Sequence, residues 1–266
     1  MTTRVSDDQS ARFDIDGPIA ILTFDRPEAR NAMTWAMYDA LAAACERVDR
    51  DEALRVLILR GAGGKAFVAG TDISQFSGFR TREDGLRYEA RLDGVLDRLE
   101  RVGKPTIAQV EGVAAGGGCA IALTCDLCVA TPESAFGVPI ARTLGNCLSA
   151  ATCARLVDLI GPSLVKDILF TGRLVPAAEA LAARMIGRVA PAGGIEAAVR
   201  ALASLIAANA PLTLRATKET LRRLAVQRRL APGACADLIE LCYTSEDFRE
   251  GVRAFLEKRK PAWTGR

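Results

Sequence analysis

Two glycine-bearing segments stand where backbone amides can bind an anionic atom. Glycines fill positions 116–118, after an apolar run at 106–110 and before another at 119–123. This pattern predicts a strand-to-helix junction, where the first N–H groups of the helix have no partner within the helix. Glycine there lets a ligand oxygen approach the backbone closely, so both an oxyanion and a phosphate fit.

A second corner of this kind lies earlier in the chain. Residues 65–72, Lys-Ala-Phe-Val-Ala-Gly-Thr-Asp, follow a predicted buried strand at 54–59, and two such corners can converge on one atom. Taken alone, the glycine triplet is equally typical of a tight turn or of close helix packing. A Rossmann-type dinucleotide site is not indicated, because neither 61–64 nor 112–118 has the spacing G-x-G-x-x-G.

The amino-acid composition further limits which catalytic groups, metal sites and partners are expected. The 266 residues include no histidine, which excludes Ser-His and Cys-His nucleophiles and leaves carboxylate, tyrosine, cysteine, lysine or water for proton transfer. Cys125 and Cys128 have the C-x-x-C spacing, but no second pair accompanies them, so we expect no metal site. A net charge of +3 is too small to indicate a nucleic-acid partner.

The sequence carries no signal for a membrane or for export. It has no apolar run of about 18 residues, and its first residues lack a hydrophobic signal core. We therefore expect a cytoplasmic protein with no membrane partner, whose eight cysteines are reduced thiols.

Periodicity predicts an α/β core followed by helices. Strand and helix patterns alternate up to about residue 148, which favours parallel strands, and later segments are almost wholly helical. Such a tail must bury its apolar faces on its own core or on a neighbouring subunit, so we expect an oligomer. The predicted early elements are a hairpin of 11–16 and 19–24, a helix capped by Thr34 and running to about Arg50, strands at 54–59, 106–110 and 127–130, and a helix at 82–101.

Six motifs in order then give a resemblance over nearly the whole chain. They lie at 25–32, 66–73, 104–119, 125–127, 136–137 and 254–259. With them the sequence resembles the crotonase superfamily, the enoyl-CoA hydratase and isomerase group. The resemblance implies an α/β spiral of stacked β-β-α units at 1–192 and a C-terminal helical trimerisation region at 193–266. It also implies a homotrimer or a hexamer built from two trimers.

The resemblance further implies a thioester enolate held by two backbone amides. By position these belong to Ala69 and Gly117, and losing one such donor costs roughly 3–4 kcal/mol of transition-state stabilisation. Coenzyme A enters as part of the substrate, with no other tightly bound cofactor. The implied coenzyme A contacts are Ala29 and Arg30 beside pantetheine and adenine, Gly70 with the backbone of Thr71, Asp72 and Ile73 around the adenine, and Lys258, from an adjacent subunit, on a phosphate.

Simpler interpretations of these polar residues stay open. Surface arginine and lysine side chains such as Arg30 and Lys258 are usually just solvated. Asp72 also suits the capping position of the turn that follows it.

The sequence departs from the family pattern where hydratases carry two glutamates. The first position holds Ala120 here, and the second holds Ile140, or Ala141 with a shift of one residue. None of these residues can transfer a proton, and general acid or base catalysis is worth about 10² to 10⁴ in rate. We assign Ala120 and Ile140 to the substrate pocket, together with Arg142 as a contact to an anionic acyl group, although a surface arginine fits the same sequence.

Two further positions replace family carboxylates. Ser149 lies close to an aspartate position of dienoyl-CoA isomerases, and Asn146 or Cys147 lies near the aspartate nucleophile of aryl-CoA dehalogenases. Cys147 at a predicted helix N-terminus is expected to have a lowered thiol pKa, which makes it a candidate nucleophile or acid. A small residue packed at a helix start is the alternative.

These observations predict an acyl-CoA enzyme that depends on its oxyanion hole and has little acid–base help. Decarboxylation fits best, since loss of carbon dioxide forms the enolate without a base; isomerisation, C–C lysis and slow hydration through Cys147, Ser149 or water remain open. The alternative is a catalytically inactive acyl-CoA-binding or scaffolding member of the superfamily.

Overall fold

Strands and helices alternate along most of the chain. The computed structural model describes residues 2–4, 10–191, 193–231 and 233–266. Its strands are β1 (Thr2–Arg4), β2 (Ala11–Asp16), β3 (Ile19–Phe24), β4 (Val56–Gly61), β5 (Ala66–Ala69), β6 (Thr106–Val110), β7 (Val113–Ala115), β8 (Leu127–Ala130), β9 (Ala135–Gly137), β10 (Val175–Pro176) and β11 (Arg188–Val189). Its helices are α1 (Trp35–Arg50), α2 (Arg82–Glu100), α3 (Gly117–Thr124), α4 (Ile140–Thr143), α5 (Ala150–Thr171), α6 (Ala177–Ala182), α7 (Ile195–Ala207), α8 (Pro211–Val226), α9 (Ala236–Tyr243) and α10 (Glu246–Leu256), with 3-10 turns at Pro27–Ala29 and Ile73–Phe76.

The strands form two sheets that the chain visits in turn. Among the described residues the larger sheet has the order β1-β2-β3-β4-β6-β8-β11 and the smaller has the order β10-β9-β7-β5. The pairs β4/β5, β6/β7 and β8/β9 each place one strand in either sheet, and a helix follows each pair. Equivalent strands pair in parallel. This confirms the predicted α/β spiral of β-β-α units.

The N-terminal elements form as their local sequence predicts. Strands β2 and β3 pair antiparallel with Asp16 opposite Ile19, and Gly17 in the turn has a φ of 56° that favours glycine. At the start of α1 the Thr34 hydroxyl accepts a hydrogen bond from the amide of Met37 at 3.2 Å. The hairpin and the capped helix are therefore confirmed.

Helix α7 covers the outer face of the larger sheet. Its Val199 and Ala203 are fully buried in a cluster with Ile58 of β4 and Ile107 of β6. Part of the region beyond 193 thus packs on the same sheet as the spiral. The proposed division at 192/193 stays a prediction, and Ala192 lies outside the described residues.

The later part of the chain is mostly helical, as the sequence indicates. Helix α5 is broken at Gly161, whose φ is 74° and which precedes Pro162, so its two halves meet at a kink. The two-residue strands β10 and β11 interrupt the helices, and they are too short for periodicity to reveal. In the described part of the chain no single helix has the length and apolar composition of a membrane span; α7 and α8 together pass that test, but they meet at 104°.

Candidate active site

The two glycine corners lie side by side at the ends of paired strands. Strands β5 and β7 run parallel with Ala69 opposite Ala115, so the residues that follow, Gly70 and Gly116, are neighbours. Both have positive φ, 94° and 53°, and a Cβ on Gly116 would lie 3.5 Å from Gly70 Cα. The chain therefore turns away from the sheet twice at one place, as the two-corner hypothesis requires.

The short strand β7 corrects the prediction that the glycines follow the strand at 106–110 directly. Gly112 separates β6 from β7 with a φ of 70°, and a Cβ there would lie 2.1 Å from the carbonyl oxygen of Lys65. This turn moves the chain from the larger sheet to the smaller one. The glycine triplet thus ends a strand of the smaller sheet, which brings it beside β5.

The backbone amides at these corners differ in what they already bind. The amide of Ala69 donates to the carbonyl oxygen of Arg30 at 3.1 Å. Among the described residues no acceptor is bound by the amide of Thr71, which follows Gly70, or by that of Gly117, the first residue of α3. The prediction of Ala69 as an oxyanion donor is therefore wrong, since its N–H is already used, and the corner offers Thr71 in its place.

Glycine is required for structural reasons at the other two positions of the triplet. Gly116 takes the positive φ that begins α3, and its amide donates to the carbonyl oxygen of Gly137 at 2.9 Å. A Cβ on Gly118 would lie 2.1 Å from the carbonyl oxygen of Val68, so α3 packs too closely on β5 for any side chain. The turn and packing interpretations hold for these two positions, and the free amide belongs to Gly117.

Three buried hydroxyls meet behind the free amides. Thr71 Oγ1 lies 2.7 Å from the hydroxyl of Tyr38 on α1 and 2.9 Å from that of Tyr88 on α2. We call these three residues the hydroxyl cluster. Burial raises the pKa of Tyr38 to about 12 and that of Tyr88 well above its usual value, so both phenols stay protonated near neutral pH.

The residues assigned to coenzyme A lie around the first corner. Ala29 ends the 3-10 turn, Arg30 follows in left-handed backbone with an exposed side chain, and Ile73 is buried. Asp72 caps the turn at Ile73–Phe76 through Ser74 and pairs with Arg26, whose guanidinium nitrogens lie 3.2 Å away. The capping interpretation of Asp72 is thus confirmed.

Lys258 follows helix α10, which packs on its own chain. The rings of Phe248 on α10 and Phe76 beside the first corner lie 6.0 Å apart. Lys258 itself is exposed, with a φ of 56°. The predicted contribution from an adjacent subunit stays a prediction.

Apolar side chains occupy the positions where the resemblance places two glutamates. Ala120 on α3 is 6% exposed and belongs to the main hydrophobic core, and Ile140 at the start of α4 packs against that core. Arg142, two residues later, is exposed. The surroundings of the second corner are therefore built without a proton-transferring group at either position.

The structure gives Ser149 a structural task. Its hydroxyl accepts from the amide of Thr152 at 3.1 Å, which caps α5, and donates to Asp93 Oδ1 at 2.6 Å. Its side chain is 3% exposed. These bonds leave no reason to assign it proton transfer to a substrate.

The thiol of Cys147 is perturbed in the direction opposite to the prediction. Its Sγ lies 3.7 Å from the carbonyl oxygen of Leu238 on α9, one turn before Cys242. A hydrogen bond to Cys242 and burial raise the pKa of Cys147, whereas the same bond lowers the pKa of Cys242 to about 7. The expectation of a lowered pKa for Cys147 is therefore wrong.

A buried carboxyl that the sequence analysis missed lies on α2. Glu89 is 3% exposed and accepts a hydrogen bond from the Tyr243 hydroxyl at 2.5 Å, while Asn146 donates to that hydroxyl at 3.1 Å. Burial raises the pKa of Glu89 to about 8. Its signal was an acidic residue three positions from Leu86 and from Leu92 on the apolar face of the helix.

Comparison with known proteins assigns the family. The family model described as enoyl-CoA hydratase/isomerase matches residues 14–266. The chain belongs to the enoyl-CoA hydratase/isomerase family. It is 32% identical to the short-chain-enoyl-CoA hydratase of Clostridium acetobutylicum over 92% of this chain and 94% of that protein.

Solved structures of the family agree in fold over almost the full length. An enoyl-CoA hydratase/carnithine racemase from Magnetospirillum magneticum is 33% identical, covers 98% of both chains and gives a TM-score of 0.80. A methylmalonyl-CoA decarboxylase in complex with 2-nitronate-propionyl-CoA is 29% identical to this chain. The match covers 97% of this chain and 99% of the decarboxylase chain, with a TM-score of 0.88. The predicted crotonase-like fold is confirmed, and the family places the chain among enzymes that process acyl-CoA thioesters.

Proposed function

We propose that the chain decarboxylates a β-carboxyacyl-CoA, a thioester of the malonyl class, with the amides of Thr71 and Gly117 as its oxyanion hole. The observation that carries this proposal is a pair of amides on adjacent corners that bind no acceptor among the described residues, next to an apolar Ala120 and Ile140. Preorganised amides of this kind stabilise the negative charge that develops on a thioester oxygen.

The chemistry of decarboxylation fits the residues present. The bond between the α-carbon and the carboxylate breaks, carbon dioxide leaves, and the bonding electrons pass into the thioester as an enolate. No base is needed for this step, and the α-carbon then takes a proton from water to give the shortened acyl-CoA. Hydration needs water activation, which neither Ala120 nor Ile140 can supply.

The structural comparison supports the same choice. The methylmalonyl-CoA decarboxylase gives a TM-score of 0.88 at 29% identity, whereas the Magnetospirillum magneticum enzyme gives 0.80 at the higher identity of 33%. Backbone agreement is thus greater with the decarboxylase, although sequence identity is lower. The curated relative named above is a hydratase, so hydration is the competing activity to be measured.

We also propose how coenzyme A is held. Arg30 and Lys258 supply exposed positive charge for its phosphates, and Ala29, Gly70 and Ile73 surround the adenine and pantetheine. The side chains of Thr71 and Asp72 are already bonded within the protein, so these two residues contribute backbone atoms.

The proposed assembly is a homotrimer or a hexamer. The described residues of α8 and α9 expose several leucines, which an oligomer interface would cover. Native mass spectrometry of the full chain gives the subunit number directly; a monomer at micromolar concentration would contradict the proposal. The most exposed of these leucines are Leu212, Leu221, Leu224, Leu238 and Leu241.

A substrate panel tests the reaction. Purified protein is incubated with malonyl-CoA, methylmalonyl-CoA and crotonyl-CoA, and carbon dioxide release and thioester products are followed by mass spectrometry. We expect decarboxylation of a malonyl-class thioester, with one solvent deuteron on the product α-carbon in heavy water. Faster hydration of crotonyl-CoA would contradict this proposal. Binding of all three esters without turnover, measured by calorimetry, would support an inactive acyl-CoA-binding member instead.

A further inference from the structure

The hydroxyl cluster joins three separate elements behind the oxyanion hole. Tyr38 comes from α1, Thr71 from the corner after β5, and Tyr88 from α2. The two phenolic oxygens lie 2.7 and 2.9 Å from Thr71 Oγ1. The Thr71 side chain, next to its own free amide, is therefore fixed from two sides.

Packing of the aromatic rings holds these hydroxyls in place. Tyr38 is 1% exposed and Tyr88 7% exposed. The Trp35 ring lies 6.1 Å from that of Tyr38 and 5.8 Å from that of Tyr88, and the Phe76 ring lies edge-on to Tyr88 at 4.9 Å. A buried hydroxyl that lost its partner here would cost free energy as an unsatisfied polar group, so the arrangement is strongly preferred.

The same cluster also touches the second corner. A Cβ on Gly117 would lie 2.8 Å from the Tyr38 hydroxyl and 3.6 Å from Thr71 Oγ1. The Tyr38 hydroxyl thus occupies the space beside the α-carbon of Gly117 while it is bonded to Thr71. It is in contact with both residues whose amides are free.

We propose that Tyr38, Thr71 and Tyr88 are positioning residues that set the spacing of the Thr71 and Gly117 amides around the thioester oxygen. This inference rests on the proposed function, because it assigns the cluster to the oxyanion hole described there. The cluster touches no substrate atom in this role. It acts by holding two N–H groups in the geometry that polarises the carbonyl, and small displacements of such groups reduce rate strongly.

The test measures carbonyl polarisation directly. Butyryl-CoA labelled with ¹³C at the thioester carbonyl has no β-carboxylate to lose, so it stays intact while bound. Infrared difference spectroscopy gives the frequency of its C=O stretch, which falls when the oxygen accepts stronger hydrogen bonds. We expect a downward shift on binding to the unmodified protein, a similar shift with Thr71→Ser, and a smaller shift with Thr71→Val, Tyr38→Phe and Tyr88→Phe.

Kinetics on the decarboxylation substrate give a second readout. The variants without a cluster hydroxyl should lose about tenfold or more in kcat with KM within about twofold, because the amides act on the transition state more than on binding. Thr71→Ser keeps the hydroxyl, so its kcat should be close to that of the unmodified protein. Circular dichroism shows whether each variant is folded; if Thr71→Val is not, the two Tyr→Phe variants, which keep their rings, carry the test.

The outcomes separate this inference from the function on which it rests. An unshifted carbonyl in the unmodified protein contradicts the oxyanion hole itself. A normal shift there, with the same shift and kcat in Thr71→Val and both Tyr→Phe variants, overturns the positioning role alone. A matched steric test also applies. Gly117→Ala should lose less kcat in the Tyr38→Phe background, because the Tyr38 hydroxyl, 2.8 Å from the new methyl group, is then absent.

Discussion

The Tyr243 hydroxyl donates to the buried carboxyl of Glu89 at 2.5 Å, across the contact between α9 and α2. This hydrogen bond lowers the pKa of Glu89, but burial has the larger effect and raises that pKa from an ordinary value of 4.5 to about 8. The neutral carboxylic acid is therefore the form that the fold prefers, and this has a measurable effect on stability.

Stability should fall as the pH rises from about 4.5 to 8. In this window the unfolded chain has released the Glu89 proton while the folded chain keeps it, so the folded state binds more protons and loses stability with rising pH. Glu89→Gln stays uncharged, and it should remove this contribution. Urea unfolding at pH 5, 7 and 9 measures the free energy of unfolding of both proteins. From pH 5 to pH 9 the stability of the variant relative to the parent should rise by about a few kcal/mol. An equal pH dependence in both proteins would contradict the assignment.

Ser149→Ala should lower stability and leave kcat unchanged. The hydroxyl caps α5, and loss of such a cap costs about 1 kcal/mol. The matched control is Ser245→Ala, which removes the cap of α10 bonded to the amide of Phe248 at 2.9 Å. Thermal unfolding and decarboxylation kinetics check both variants; a loss of kcat in the first variant alone would return Ser149 to the catalytic group.

Lys258→Ala should weaken acyl-CoA binding about 10- to 150-fold, since a bond between an ammonium and a phosphate contributes roughly 1.5–3 kcal/mol. Lys260→Ala, two residues further on, is the control and should bind normally. Titration calorimetry at two salt concentrations gives the comparison, and the difference should shrink at higher salt. Equal affinities in the two variants would show that Lys258 is only a solvated surface charge.

Local sequence patterns predict the elements of this chain well where the determining contacts are near in sequence. The β2–β3 hairpin follows from alternation and a Gly-Pro turn, and the start of α1 follows from Thr34. Local patterns do not predict strand β7, because it has only three residues and its position depends on the turn at Gly112. The spiral itself came from the resemblance rather than from periodicity.

The sequence predicted the two glycine corners of the site, but it did not predict which backbone amide is free at the first corner. Which amide is free depends on the carbonyl of Arg30, 39 positions before Ala69, and no local rule gives that partner. The raised pKa of Cys147 likewise depends on Cys242, far along the chain. Glu89 was open to prediction, because a carboxylate within an apolar helix face requires an explanation.

The central claim is that two backbone amides carry the chemistry, and replacement of one amide tests it most directly. Gly117→Pro removes the N–H at a first helical position, where proline is well accommodated, and Gly117→Ala adds a Cβ but keeps the N–H. Both are made with Tyr38→Phe, because the added carbon would otherwise meet the Tyr38 hydroxyl at 2.8 Å. We expect kcat for the malonyl-class substrate to be about 10² to 10³ lower with proline than with alanine. Equal kcat values in two folded variants would contradict the account.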